Sequence, residues 1–213
     1  MKDETIAVLD YGAGNLTSVA LAVRHLGREP TVTRDPEVVR SAGRIIFPGV
    51  GAAGASMEAL RSLGLATALE EAWRAGTPVL GICIGCQVVF ARSEEDGGTS
   101  CLGLLPGDVA RFRFAPDVRR KVPHMGWNEV RFRSAHPVFA DVPPQSQLYF
   151  VHSYYPRPAE PADVLGTAVY GGIEFAAAVG RGNLVAVQFH AEKSGPAGLA
   201  VLGGFLRWRP GGD

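Results

Sequence analysis

The sequence predicts an α/β fold: an open, mostly parallel sheet flanked by helices, joined to a second half that is richer in antiparallel strands. Three observations predict it. Strand-like and helix-like segments alternate up to about residue 100, the pattern of a sheet covered on both faces. The apolar run Pro78-Val79-Leu80 reads as a strand buried between layers. Beyond residue 100, strand-like segments follow one another with few helices between them.

Taken in order, residues 5–9 form a short β-rich run. Asp10-Tyr11-Gly12-Ala13-Gly14-Asn15 is a glycine-rich turn that opens a helix, in which Leu16, Val19, Ala20, Val23 and Leu26 keep helical spacing and stop at Gly27. Residues 31–33 and 44–47 read as strands, the second ending in Pro48-Gly49-Val50-Gly51. Residues 57–75 carry helical patterning broken near Gly64, and 78–82 form the next strand. Segments 109–114, 129–132, 148–152, 164–170, 175–179 and 184–190 resemble strands, Gly180-Arg181-Gly182-Asn183 is a hairpin turn, and 199–208 closes the fold with a helix. With no internal repeat and no low-complexity linker, residues 1–213 are expected to form a single domain whose halves share one core.

Composition narrows the functional classes. Hydrophobic residues make up 46% and charged residues 20%, as in ordinary globular proteins. The 21 basic and 21 acidic side chains balance, so no global field draws the chain to nucleic acid or an anionic membrane. Arg119-Arg120-Lys121 is the only consecutive basic run and reads as a solvated loop. No apolar run approaches the length of a membrane span, and no N-terminal segment has the pattern of a secretion signal. Three cysteines, Cys83, Cys86 and Cys101, cannot form an even framework, which fits a reducing, cytoplasmic location.

The most informative stretch is Gly81-Ile82-Cys83-Ile84-Gly85-Cys86-Gln87. It reads as a strand ending in a sharp turn that lifts one thiol to the mouth of a helix, with the flanking glycines allowing tight dihedrals and close backbone approach. On that geometry Cys83 is a nucleophile. Gln87, four residues on, falls on the same helix face, where it could read a substrate. Taken alone, the C-x-x-C can also be read as a redox dithiol, half of a metal site, or buried thiols filling space. The metal reading is weak, because Cys101 and the five histidines offer no second compact ligand pair.

A second cluster, Gln188-Phe189-His190-Ala191-Glu192-Lys193-Ser194, follows the run Leu184-Val185-Ala186-Val187. In an extended strand His190 and Glu192 would project from the same face, so the carboxylate could orient an imidazole that takes a proton from a thiol. An incidental histidine at a surface strand end is at least as good a reading of this cluster by itself.

Together these clusters resemble the two catalytic signatures of the class I glutamine amidotransferases, in the order cysteine, histidine, glutamate, and Pro48-Gly49-Val50-Gly51 resembles that family's oxyanion segment. Within it, Asp10-Tyr11-Gly12-Ala13-Gly14-Asn15-Leu16, Pro123-His124-Met125-Gly126-Trp127-Asn128 and Tyr149-Phe150-Val151-His152-Ser153-Tyr154-Tyr155 resemble the glutaminase subunits of imidazole glycerol phosphate synthases, so the likeness spans most of the chain. Two positions depart from the family: Cys86 stands where methionine is usual, and Ala191 where proline is usual. The first adds a soft thiol near Cys83; the second loosens the backbone between His190 and Glu192.

The resemblance implies a flavodoxin-like fold and hydrolysis of the glutamine side-chain amide. Cys83 would attack, helped by a helix N-terminus and by His190; His190 would transfer protons, and Glu192 would orient it. Backbone N–H groups of Val50 and Ile84 would meet the oxyanion. Gly49, Gly51, Gln87, Glu95, His152, Ser153 and Tyr154 would complete the glutamine pocket. The chain has no phosphate-binding G-x-x-x-x-G-K-[ST] loop and no evident acceptor domain, so ammonia is expected to pass to another chain. The resemblance names it as the cyclase subunit of the synthase, which would make imidazole glycerol phosphate and an aminoimidazole carboxamide ribotide in histidine biosynthesis. The loop Pro123-His124-Met125-Gly126-Trp127-Asn128 is the leading interface candidate, with Tyr149 and Lys193 added by resemblance. No cofactor and no metal are assigned. The alternatives are another class I glutaminase, serving pyridoxal phosphate synthesis or an aromatic pathway, and a non-catalytic regulatory module.

Overall fold

The computed structural model describes residues 5–12, 14–133 and 135–211; Ala13, in the glycine-rich turn before the first helix, lies outside them. The first half unrolls as β1 (Ile6–Leu9), α1 (Leu16–His25), β2 (Pro30–Thr33), α2 (Pro36–Ser41), β3 (Arg44–Gly49), α3 (Ala53–Ser62), α4 (Leu65–Arg74), β4 (Val79–Cys83) and α5 (Ile84–Val88). The second contributes β5 (Phe90–Ser93), β6 (Thr99–Ser100), β7 (Leu105–Arg111), β8 (His124–Glu129), β9 (Arg131–Phe132), β10 (Gln147–His152), β11 (Tyr154–Pro158), β12 (Val164–Tyr170), β13 (Ile173–Arg181), β14 (Leu184–Val187) and α6 (Gly195–Arg207).

Among the described residues, eight strands form one sheet in the order β2-β1-β3-β4-β14-β13-β12-β9. The first five run parallel and the last three antiparallel, so strands from both halves are hydrogen-bonded into one layer. Alternate residues of the central strands face opposite cores. Ile6, Val8, Ile46, Leu80 and Ile82 point to one, packed beneath α1 and α6. Ala7, Leu9, Ile45, Phe47 and Val79 point to the other, with α3, α4 and α5. Two further groups, β10 with β8 and β11-β7-β5-β6, stand beside the main sheet. No helix among the described residues is long and apolar enough to cross a membrane.

Several elements differ from the sequence reading for identifiable reasons. The six-residue α2 is too short to show periodicity; it is started by Asp35, whose carboxylate accepts from the Glu37 N–H, and by Pro36 at its first position. β11 carries Pro156 and Pro158, which argue against a strand unless it lies at an edge, as this one does. The segment Pro123-His124-Met125-Gly126-Trp127-Asn128, read as a loop, is mostly strand β8, paired along its length with β10. The helical pattern at 57–75 is two helices, separated at Gly64, whose φ of 69° only glycine adopts without strain. Strand β14 stops at Val187 rather than at His190, and α6 begins at Gly195.

Candidate active site

The order of the main sheet explains how remote motifs meet. β3, β4 and β14 are adjacent and parallel, so the residues that leave their C-terminal ends emerge side by side: Val50 after β3, Cys83 closing β4, and His190 just past β14. Gly49 pairs directly with Cys83 in the sheet. Above this edge lies a cavity of about 240 Å³. Val50, Gly51, Cys83, Ile84, Gln87 and Glu95 line it, facing Pro123, Val151, His152, Ser153, Tyr154 and His190.

The turn at Cys83 meets the sequence expectation in part. Gly81 and Gly85 were expected to relieve tight dihedrals, yet the left-handed conformation falls on Cys83 itself, at φ 56° and ψ −107°. Such a conformation costs a non-glycine residue on the order of 1–3 kcal/mol and turns the thiol out of the strand register. The glycines serve the close approach also expected of them: a Cβ on Gly81 would lie 2.8 Å from the Gly85 carbonyl oxygen, and one on Gly85 would collide with the Phe47 carbonyl. Five-residue α5 places the Ile84 N–H at its start, and its free first-turn amides supply local positive charge.

His190 Nδ1 lies 2.8 Å from Glu192 Oε1, with the two side chains 4% and 1% exposed. The pair does not share an extended strand. Glu192 sits in a 3-10 turn over Ala191–Lys193 with His190 as its leading residue, and the turn folds the carboxylate back onto the ring. Burial opposes charge on His190, but hydrogen bonding and attraction from Cys83 and Glu192 outweigh it and raise the imidazole pKa to about 10. The ring is thus set to hold a proton beside the thiol sulfur.

Residues the sequence reading left without a role brace this centre. The Ser194 hydroxyl donates to the His190 carbonyl at 2.6 Å and accepts from the Tyr149 N–H at 2.9 Å, while the His190 N–H donates to the Tyr149 carbonyl at 2.8 Å. Asn15, at the start of α1, does not cap that helix; its Nδ2 donates to Glu192 Oε1 at 3.4 Å. Gln87 Nε2 lies 3.0 Å from both the Tyr154 carbonyl and Gln188 Oε1, and Gln188 Nε2 approaches Cys83 Sγ at 3.9 Å. Tyr11 is buried against Gly49, and burial drives its pKa upward against the opposing pull of the nearby Ser56 hydroxyl. Only Asn15, a polar residue at a predicted helix start, and Gln188, two residues before the histidine, carried any sequence signal.

Glu95 is half-buried and accepts from the Ala53 N–H at 2.7 Å; burial raises its pKa more than that bond lowers it. Cys86 is fully buried, which pushes its thiol well above the usual range, and it packs in the core on the α3–α5 side. Cys83 belongs to the opposite core. All three cysteines are free, and no cluster of three or more metal-ligating side chains occurs among the described residues. Of the residues expected at an interface, Met125 and Trp127 are exposed at 63% and 56%, Lys193 is exposed, and Trp127 meets half-buried Tyr149 edge-on at 5.7 Å. His124 is a correction: its side chain is 3% exposed and faces inward, because strand alternation turns it away from Met125 and Trp127. Pro123 lines the cavity.

The geometry has close parallels. The model of the glutamine amidotransferase class-I family matches residues 7–207. The chain is 49% identical over 213 residues to imidazole glycerol phosphate synthase subunit HisH of Methylococcus capsulatus, with 97% of each chain covered. It is 47% identical to the HisH subunit of Chloroflexus aurantiacus, with 95% of each covered. Among solved structures, a glutamine amidotransferase superposes with a TM-score of 0.72 at 20% identity, covering 95% of this chain and 98% of the other. A chain of PurLQS from Thermotoga maritima gives 0.71 at 19% identity, covering 97% and 98%; these two likenesses are of fold. The chain belongs to the class-I glutamine amidotransferases, in the family of HisH subunits.

Proposed function

We propose that this chain, acting as a single domain over residues 1–213, is the glutaminase subunit of an imidazole glycerol phosphate synthase. It would hydrolyse glutamine to glutamate and pass ammonia to a cyclase subunit, which uses it to make imidazole glycerol phosphate and aminoimidazole carboxamide ribotide in histidine biosynthesis. The observation that carries this reading is the meeting of Cys83 and His190 at the wall of one cavity, from positions more than a hundred residues apart, with Glu192 bonded to the His190 ring.

In this mechanism the Cys83 thiolate adds to the amide carbon, and the carbonyl electrons move to oxygen. The Val50 and Ile84 N–H groups receive that oxyanion. His190 gives its proton to the amide nitrogen, the C–N bond breaks, and ammonia leaves a glutamyl thioester. The now neutral ring takes a proton from water, hydroxide adds to the thioester, and collapse breaks the C–S bond. The new carboxyl group loses its proton to solvent, glutamate departs, and the thiolate and imidazolium are restored. Glu192 holds the ring and stabilises its positive form. Gln87, Glu95, Ser153, Tyr154 and His152, with Gly49 and Gly51, would shape the glutamine pocket, and all of these except Gly49 line the cavity.

Trp127, Met125, Tyr149 and Lys193 are assigned to the cyclase contact, supported by a large exposed aromatic and a methionine on one strand. The test is glutamate formation by the chain mixed with its cyclase, with and without the acceptor nucleotide. Turnover that requires both, and that Cys83→Ala abolishes, is the expected result; turnover surviving in Cys83→Ala overturns the nucleophile, and no turnover at all points to a regulatory module.

A further inference from the structure

The mechanism leaves the buried imidazole of His124 unused. His124 sits on β8 directly opposite His152 of β10, and its Nδ1 lies 2.9 Å from His152 Nε2. The proton positions follow from the partners. His152 Nδ1 lies 2.7 Å from the Tyr154 carbonyl oxygen, which can only accept, so His152 donates there and its Nε2 is left as an acceptor. His124 must then carry its proton on Nδ1 and donate it to His152. Its own Nε2 accepts from Asn128 Nδ2 at 3.4 Å. Burial holds His124 near pKa 4, and burial with neighbouring charge holds His152 near 3, so both rings are neutral at working pH and this single tautomer pattern persists.

The Tyr154 carbonyl that His152 engages is also the acceptor for Gln87 Nε2, and His152, Tyr154 and Gln87 all line the cavity. His124 does not line it. Phe112, Phe150 and Phe175 pack against the two rings, and Tyr170, stacked on His124 at 4.0 Å, donates its hydroxyl to the Lys121 carbonyl, so none of these neighbours replaces a bond lost at His152 Nε2. We propose that His124 is a positioning residue for the glutamine pocket: its Nδ1–H fixes the His152 ring, which fixes the Tyr154 carbonyl and, through it, the amide of Gln87. This role rests on the glutaminase reading above.

Three variants separate a donor role from simple packing. His124→Asn places an amide nitrogen near the Nδ1 position and keeps the donor. His124→Gln carries its amide farther out, and His124→Phe keeps the ring without a donor. In the complex with the cyclase, the Phe and Gln variants are expected to raise the KM for glutamine about tenfold, the scale of one lost buried hydrogen bond, with kcat changed less than about threefold. The Asn variant should stay within about threefold of the unaltered chain in both. An Asn variant as impaired as Phe and Gln, or a Phe variant with unaltered KM, overturns the proposal; should Phe not fold, the contrast of Asn with Gln decides it. The unaltered chain and Cys83→Ala, run alongside, test the functional reading separately. If the unaltered chain is inactive, that reading fails, and the imidazole nitrogen resonances of the free chain decide the positioning role: an unprotonated His152 Nε2 with the shift of a hydrogen-bonded acceptor must be present in the unaltered chain and His124→Asn, and replaced by that of an unpaired acceptor in His124→Phe. Its absence from the unaltered chain overturns the proposal.

Discussion

His190 Nδ1 and Glu192 Oε1 stand 2.8 Å apart with both side chains almost wholly buried, and Glu192 Oε2 has no hydrogen-bond partner among the described residues. The same Oε1 accepts from Asn15 Nδ2 at 3.4 Å, and the carboxylate joins Cys83 in raising the His190 pKa to about 10.

Glu192→Gln keeps the shape and removes the charge. Glutaminase turnover in the complex is expected to fall at least tenfold, the change measured by steady-state glutamate release. Stability should respond with a defined sign. A histidine whose folded-state pKa is raised contributes stability that is complete below the unfolded value near 6.5 and lost as pH rises through about 10. The stability advantage of the unaltered chain over Glu192→Gln should therefore be largest below pH 6.5 and shrink toward pH 10. Urea titrations across that range measure it, and a difference that grows with pH would exclude the charge role.

Ser194→Ala tests the clamp behind the same ring. It leaves the Tyr149 N–H without its acceptor and removes the donor to the His190 carbonyl, in a place that is 2% exposed. An unfolding free energy lower by about 1–3 kcal/mol is expected, the scale for orphaning a buried polar group. Turnover should fall with it, because His190 is held through its backbone at this point. Denaturant unfolding and turnover measured on one preparation check both parts.

At the turn around Cys83, Gly85→Ala puts a methyl group into the Phe47 carbonyl of β3, which cannot withdraw without disturbing its pairing with β4. Overpacking of this kind costs about 1–3 kcal/mol, equivalent to a fall of several degrees in Tm for a chain of this length. The same shift moves β3 relative to Cys83, so glutaminase activity should fall further than stability alone explains. Thermal unfolding and activity at a temperature well below the transition separate the two effects.

How much of this was visible beforehand depends on the distance over which each feature is encoded. The β4 strand, the turn at Cys83 and the hairpin after β13 are local, and runs of a few residues carry them. The meeting of Cys83 with His190 is not local: spacing in the sequence gives no distance between them, and only the adjacency of β4 and β14 supplies it. The 3-10 turn that folds Glu192 onto His190 was hidden for the opposite reason, since two residues cannot distinguish a strand face from a tight turn. The inward side of β8 was illegible because Gly126 breaks its alternation, so a strand with His124 inside and Trp127 outside looked like a loop. Ser194 gave no signal, because its partners are backbone groups on β10 and in its own turn.

Cys86 offers a test that separates amide hydrolysis from dithiol chemistry. It is fully buried in the core that Cys83 does not share, so Cys86→Ala should cost about 1 kcal/mol through a small cavity and keep turnover within about threefold. A loss of activity equal to that of Cys83→Ala would show that both thiols react. Parallel turnover and thiol titration of the folded chain distinguish the outcomes.

Trp127 and Met125 are large apolar side chains exposed at 56% and 63%, on a strand whose other face is fixed by His124 and β10. A rigid strand presenting an aromatic and a methionine loses little conformational freedom on binding, which is the condition under which single side chains dominate an interface. Trp127 also packs edge-on against Tyr149, so its ring is held before any partner arrives. Trp127→Ala is therefore expected to weaken association with the cyclase by at least 2 kcal/mol, about thirtyfold in Kd, and Met125→Ala by less, because a flexible thioether gives up more freedom when it binds. Neither should lower the thermal stability of the free chain by more than about 1 kcal/mol, since little of either side chain is buried there. Calorimetric titration against the cyclase and thermal unfolding of each variant measure the two quantities; a variant that unfolds early while binding normally would place Trp127 in the fold rather than at the contact.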